Sequence, residues 1–385
     1  TVPRPRNIVV VQLGQWTIFA FAGGVFLLAA NLYKDERTLR RLLFFYLAVA
    51  GGLAMLRVLP GVSSIARRFA TFALDRAPFW MLLTALAGGQ LLHNTELGLG
   101  WRLFLLAVLA AAVFYGFRLE RAVVSNWLGV AAAAGVLAWL RFPRLRWLVV
   151  PAIIILAVTG ILFRAVYGFA GGEQEWEESG GSRLVLILRV IEVTLRNPVT
   201  GLGPAAYRAY AATRPLAYGR ALYLVPAVNS HNNYVDLFAH VGLLGLGLFL
   251  WFMAEVGILG WRLRRRKRSG FLAGYVDGML AAWVGTMVLM MFADWILPHV
   301  YNIGFPGFQA SVLVWMFLGG LVAVEQMTKG EASADGALDH YRQLEHPRDA
   351  GELPALGVRD GGQPGLRGLG RGQRLDGRQP DYGGG

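Results

Sequence analysis

His231 and Arg183 are the residues of this chain whose types and surroundings suit a group transfer. His231 lies in the run Ser230-His-Asn-Asn-Tyr-Val-Asp-Leu-Phe-Ala-His240, at the mouth of a long apolar stretch, with Asn232 and Asn233 beside it. Histidine titrates near neutrality and is the usual general base. At this place it meets a hydroxyl from the aqueous side and a head group from the lipid side. Asp236 and His240 follow on the same predicted helix, where Asp236 either orients His231 or faces a polar cavity. Arg183 opens a second predicted helix after Gly180, Gly181 and Ser182, where free backbone N–H groups and the positive end of the helix dipole favour an anion. An arginine there makes a site for phosphate or diphosphate; the plainer alternative is a side chain snorkelling to the membrane interface.

The elements that must position these groups are legible in the periodicity. Within 183–196 the charges of Arg189, Glu192 and Arg196 fall on one stripe, and Arg183 points away from it, toward the apolar side. The segment reads as an amphipathic helix at the membrane surface. Asn197-Pro-Val-Thr-Gly-Leu-Gly-Pro204 is a turn-forming run. It is followed by Tyr207, Arg208, Tyr210, Arg214, Tyr218 and Arg220, a composition suited either to a phosphorylated glycan or to an interfacial aromatic belt. Glu173, Glu175, Glu177 and Glu178 are candidates for a divalent cation or are simply solvated.

Composition sets the solvent. Of 385 residues, 55% are hydrophobic and 16% charged, which does not fit a soluble surface. Apolar runs near the roughly 20 residues needed to cross a bilayer recur at about 8–33, 41–59, 78–92, 101–117, 123–140, 146–163, 234–261, 272–297 and 307–325. The expected fold is all-α: a polytopic helical bundle over 1–328 with one large extracytoplasmic loop, 164–233, and a structureless Gly- and Arg-rich cytoplasmic tail over 329–385. The block Arg262, Arg264, Arg265, Arg266, Lys267 and Arg268 belongs in the cytoplasm. Alternation then sets the loop outside, in a multi-pass protein of the inner (plasma) membrane, and implies a span ahead of residue 1. Asp294 reads as a rare charge inside a late span. The net charge of +13 sits in loops between spans, which fits topology and anionic lipid rather than nucleic acid. With no cysteine, thiol chemistry and zinc-thiolate sites are excluded.

The chain resembles the superfamily of O-antigen ligases and O-antigen polymerases. Ser179-Gly-Gly-Ser-Arg183 is similar to that family's loop Gly-Arg element, and Asn197 to Pro204 to its Asn-Pro signature. His231-Asn232, nine residues and then Gly242-Leu-Leu-Gly245 resemble its histidine motif. Over about 123–325 the resemblance implies an inverting membrane glycosyltransferase with no metal and no other cofactor, acting in lipopolysaccharide or other cell-envelope polysaccharide assembly. The implied partners are an undecaprenyl diphosphate-linked glycan as donor, a glycan, lipid or protein as acceptor, and membrane lipids. The resemblance makes His231 and Arg183 the catalytic pair. A second arginine normally follows a Thr-Gly-Ser element; here Thr159-Gly-Ile-Leu-Phe-Arg164 departs from that spacing. Arg164, Arg208, Arg214, Arg220, Asn232 and Asp236 complete the expected substrate-binding set. Polymerase activity, or transport of a lipid-linked oligosaccharide, are the competing readings.

Overall fold

The structure, a computed structural model, describes residues 8–70, 73–144, 147, 151–152, 154–155, 158–170, 181–208, 216–218, 221–223, 229–266 and 269–345. Chain contacts divide it into a unit of Thr1–Ser333, which holds the helical bundle, and a second of Ala334–Gly385. The helices are α1 (Ile8–Leu32), α2 (Glu36–Val58), α3 (Ser63–Ala70), α4 (Ala77–His93), α5 (Leu99–Phe114, running on as a π-turn over Tyr115–Leu119), α6 (Val124–Arg141), α7 (Ile161–Ala170), α8 (Gly181–Thr194), α9 (Asn233–Arg266), α10 (Phe271–Phe292) and α11 (Gly304–Glu345). A two-stranded hairpin, β1 (Leu216–Tyr218) with β2 (Ala221–Tyr223), runs antiparallel with Leu216 opposite Tyr223. The fold is an all-α polytopic bundle, and seven of its helices are long and apolar enough to cross a membrane.

α4 and α10 form the centre. α4 is buried without a break from Ala77 to Gln90, and α10, apolar on every face apart from Asp277, is buried from Phe271 to Ala282. They meet through small residues. A Cβ added to Gly89 would strike the Gly274 carbonyl and Gly278, so glycine is what lets the two backbones touch. The peripheral helices instead carry large exposed apolar side chains, among them Leu13, Trp16, Leu103, Leu106, Leu248 and Trp251. In water such a surface would drive aggregation; in a bilayer it is the ordinary exterior.

α4, over the segment expected to span at 78–92, has 17 residues, at the short end of what a span needs, and is buried at the centre of the bundle. Of the span expected at 146–163, residues 146, 148–150, 153 and 156–157 lie outside the described residues, and a helix is described from Ile161 onward. The tail expected from 329 begins as helix, because Lys329 to Glu345 contains good helix formers and no proline; residues beyond 345 lie outside the described set.

Candidate functional site

α9 is not a continuous helix. At Gly242 the backbone turns to φ 68°, ψ −169°, which frees four hydrogen-bonding groups that the ladder would otherwise use. The segment after α8 takes them up. Leu202 N–H donates to the Ala239 carbonyl (2.8 Å) and Gly203 N–H to the His240 carbonyl (3.2 Å). In return Leu243 N–H donates to Pro198 O (2.8 Å) and Leu244 N–H to Val199 O (3.1 Å). The Asn197–Pro204 signature and the glycines of the histidine motif are therefore two halves of one backbone lock. Broken helices are tolerated in an apolar phase only where such groups find partners. His240 adds a side-chain latch: its Nδ1 accepts from Ala205 N–H at 2.9 Å, in full burial.

The turn ahead of α9 holds His231. Asp236, one turn into the helix, accepts from Asn229 Nδ2 (2.9 Å), Ser230 N–H (3.0 Å) and Ser230 Oγ (2.6 Å). Asn232 caps the helix, its Oδ1 accepting from Tyr234 N–H and Val235 N–H, while its Nδ2 donates to Met291 O at 3.0 Å. Pinned on both sides, His231 adopts φ 52°, left-handed and unfavourable for a residue with a side chain. Its imidazole is 31% exposed, and Nδ1 lies 3.7 Å from Oδ1 of Asp294, whose side chain is 1% exposed.

Asp294 is not inside a span. α10 stops at Phe292, and residues 293–303 form a non-helical loop, which the next proline, Pro298, helps to keep out of helix. The loop is fastened from several helices. Asn233 bonds both Leu297 O (2.8 Å) and the N–H groups of Ile296 and Leu297 (both 3.2 Å), and Gln15 of α1 bonds Pro298 O (3.1 Å) and Val300 N–H (2.8 Å). Within it Asp294 accepts from His299 N–H (3.2 Å) and Asn302 Nδ2 (2.9 Å). Burial alone would raise the Asp294 carboxyl; the contact with His231 and the nearby His299 outweigh it and hold it below its usual value. His299 is buried and its imidazole is lowered, chiefly by that burial, against the pull of Asp236 and Asp294 and with a further push from His231. Its ring stacks on His240 at 5.2 Å.

Arg183, in the first turn of α8, donates from Nη1 to Phe292 O at 3.1 Å. It thus reaches the C-terminal end of α10 beside the carbonyl that Asn232 holds. α8 is anchored for this by Val190 and Val193, which bury against Tyr207 and Ala239, while Arg189 pairs with Glu192 at 2.8 Å on the outer stripe. Arg208 stacks on Tyr301 of the 293–303 loop at 4.7 Å. Arg164 is exposed on α7 and has no carboxylate partner among the described residues. Arg214, Arg220, Tyr210 and Glu173 to Glu178 lie outside the described residues. Asp236, expected either to orient His231 or to face a polar cavity, bonds Asn229 and Ser230 of the turn, and the carboxylate facing the imidazole is Asp294. Sequence reasoning also missed His299, Asn302 and Gln15; the one available signal was an acid, a proline and a histidine together in Asp294-Trp-Ile-Leu-Pro-His299.

No curated protein and no solved structure matches the chain. The family model described as O-Antigen ligase matches residues 107–250, a stretch from within α5 into α9 that holds Arg183, His231 and both halves of the backbone lock. Over residues 107–250 the chain is thus similar to the O-antigen ligase family, the one its motifs resemble.

Proposed function

We propose that the chain transfers a glycan from an undecaprenyl diphosphate-type lipid donor to an acceptor hydroxyl in cell-surface polysaccharide assembly, in the manner of an O-antigen ligase, on the extracytoplasmic face of the inner membrane. The observation that carries this reading is the convergence of His231, backed by a buried carboxylate, and Arg183 on one end of α10. A proton held on Nδ1 toward Asp294 leaves Nε2 as the base. His231 then removes the proton from the acceptor hydroxyl, the oxygen attacks the anomeric carbon with inversion, and the bond to the diphosphate breaks. Asp294 stabilises the imidazolium formed in that step, the part a buried carboxylate plays behind a catalytic histidine.

Arg183 neutralises the charge that grows on the departing diphosphate, with the Phe292 carbonyl orienting its guanidinium. Arginines in this role remove the need for a metal ion. Arg164, Arg208, Arg214 and Arg220 are assigned to the donor's phosphates and sugars. Asn232 and Asp236 support the site by fixing the His231 turn.

The test is transfer from a purified lipid diphosphate glycan, with EDTA present and the protein in nanodiscs. His231→Ala should lower the rate by about 10²–10⁴ at unchanged abundance. Arg183→Lys should also lose activity, because an ammonium lacks the planar fork that grips two oxygens. A well-folded His231→Ala protein that transfers glycan at the parental rate overturns the assignment.

A further inference from the structure

A groove of about 850 Å³ runs down the outside of the bundle between α6, α9 and α10. Val136, Leu250 and Trp283 line its apolar length, and Trp261, Arg262 and Arg265 stand at one end. From Leu250 to Arg262 along α9, at ~1.5 Å per residue, is about 18 Å, a little over half of a ~30 Å hydrocarbon core. Its depth therefore matches one leaflet. His231 precedes the N-terminal end of α9 and the arginines lie in its last turns, so the groove opens at the end of the bundle away from the His231 site.

The arginines of that end are sorted by face. Arg264 turns inward, where its Nε meets Oδ1 of Asp277 at 2.9 Å and its Nη2 donates to Leu140 O at 2.8 Å. Arg262 and Arg265, three residues apart and so on one face, are exposed and have no carboxylate partner among the described residues. The Trp261 ring lies beside both Arg264 and Arg265, at 5.5 and 5.9 Å from its centroid. Two cationic forks above an apolar groove of leaflet depth match a molecule with a phosphodiester at one end and hydrocarbon at the other. A free anion would not use the groove, and an uncharged lipid would not use the arginines.

We infer that this groove holds an anionic glycerophospholipid of the leaflet at that end, with an acyl chain along Val136, Leu250 and Trp283 and the phosphate on Arg262 and Arg265. Exposed arginines near a membrane surface each strengthen anionic-lipid binding, so losing both should weaken it about 30-fold. The site is independent of the glycan-transfer reading, since none of its residues belongs to the His231 cluster.

The experiment is native mass spectrometry of the full chain, titrated with phosphatidylglycerol, with phosphatidylcholine, and with inorganic phosphate as competitor. One phosphatidylglycerol should be retained in preference to phosphatidylcholine and should resist millimolar phosphate. Arg262→Ala with Arg265→Ala should cut its retention about 30-fold. Ala254→Trp, which fills an exposed part of the groove wall, should cut it in a protein whose arginines are intact and whose melting is unchanged. Equal retention of the two lipids, full displacement by inorganic phosphate, or undiminished phosphatidylglycerol binding in either variant overturns the proposal. So does a dimer of the chain that Ala254→Trp dissociates, which would make the occupant a second copy.

Discussion

Nδ1 of His231 faces Oδ1 of Asp294 across 3.7 Å, although sixty-odd residues and all of α9 and α10 separate them in the chain. Asp294 is nearly inaccessible and His231 is not, so the pair joins a buried charge to an imidazole open to solvent. That asymmetry is what a base needs: a fixed anion behind and an open face ahead.

Asp294→Asn keeps the shape and most hydrogen bonds of the carboxylate but removes its charge. It should lower kcat on the order of 10²-fold with little change in KM and in abundance. Steady-state glycan transfer by the purified variant decides this; an unchanged kcat would reduce Asp294 to a loop brace.

The two glycines Gly242 and Gly247 lie on the same helix but are predicted to behave oppositely. A Cβ at Gly242 would run into the Val199 carbonyl at a backbone angle of φ 68°, whereas nothing lies within 4 Å of one at Gly247. Gly242→Ala should cost about 1–3 kcal/mol from the backbone angle alone, and open the lock on Asn197–Pro204. Gly247→Ala should be neutral or stabilising by up to about 1 kcal/mol. Thermal melting of both variants, followed by size exclusion, measures the difference.

Stability should fall as the medium is acidified, in two stages. The lowered His299 binds fewer protons folded than unfolded, so its contribution is full above the unfolded value of about 6.5 and declines as pH drops below it. Asp294, also lowered, contributes above its unfolded value of about 3.9 and loses that contribution as pH falls through its folded one. The charged groups facing His299 are Asp236, Asp294 and His231. A melting series from pH 7 to pH 3 should therefore slope downward in the parent. His299→Gln should flatten the upper part and leave the lower one; a parent curve flat from pH 7 to pH 5 contradicts the assignment.

Because the chain has no cysteine, single substitutions report orientation directly. Leu195→Cys, exposed just after α8, should react with an impermeant maleimide in intact cells, and Arg266→Cys only after lysis. The reverse pattern would invert the proposed topology and put the His231 site in the cytoplasm.

What was legible in the sequence was local. Charge spacing in 183–196, the turn residues of 197–204 and the polar run Ser230–Asn233 ahead of an apolar stretch each announce themselves within a dozen residues, and α8, the turn segment and the His231 turn are where they were expected. Asp294 was misread because hydropathy averages over a window: Ala293 to Tyr301 is mostly apolar, so the break after Phe292 vanishes into the span. The interruption of α9 was hidden for a related reason, since Gly242 lies among leucines and its geometry depends on a strand of backbone forty residues earlier. Such pairings are tertiary facts, and no periodicity encodes them.

The left-handed backbone of His231 bears on the protein's history. A histidine at φ 52° sits in a region that glycine and asparagine occupy with less strain, so the wild-type residue is a local liability. His231→Gly or His231→Asn should yield an inactive protein that melts at the same temperature as the parent or higher. A lineage released from the need for the reaction would find those substitutions downhill, and would drift toward a sturdier, silent descendant.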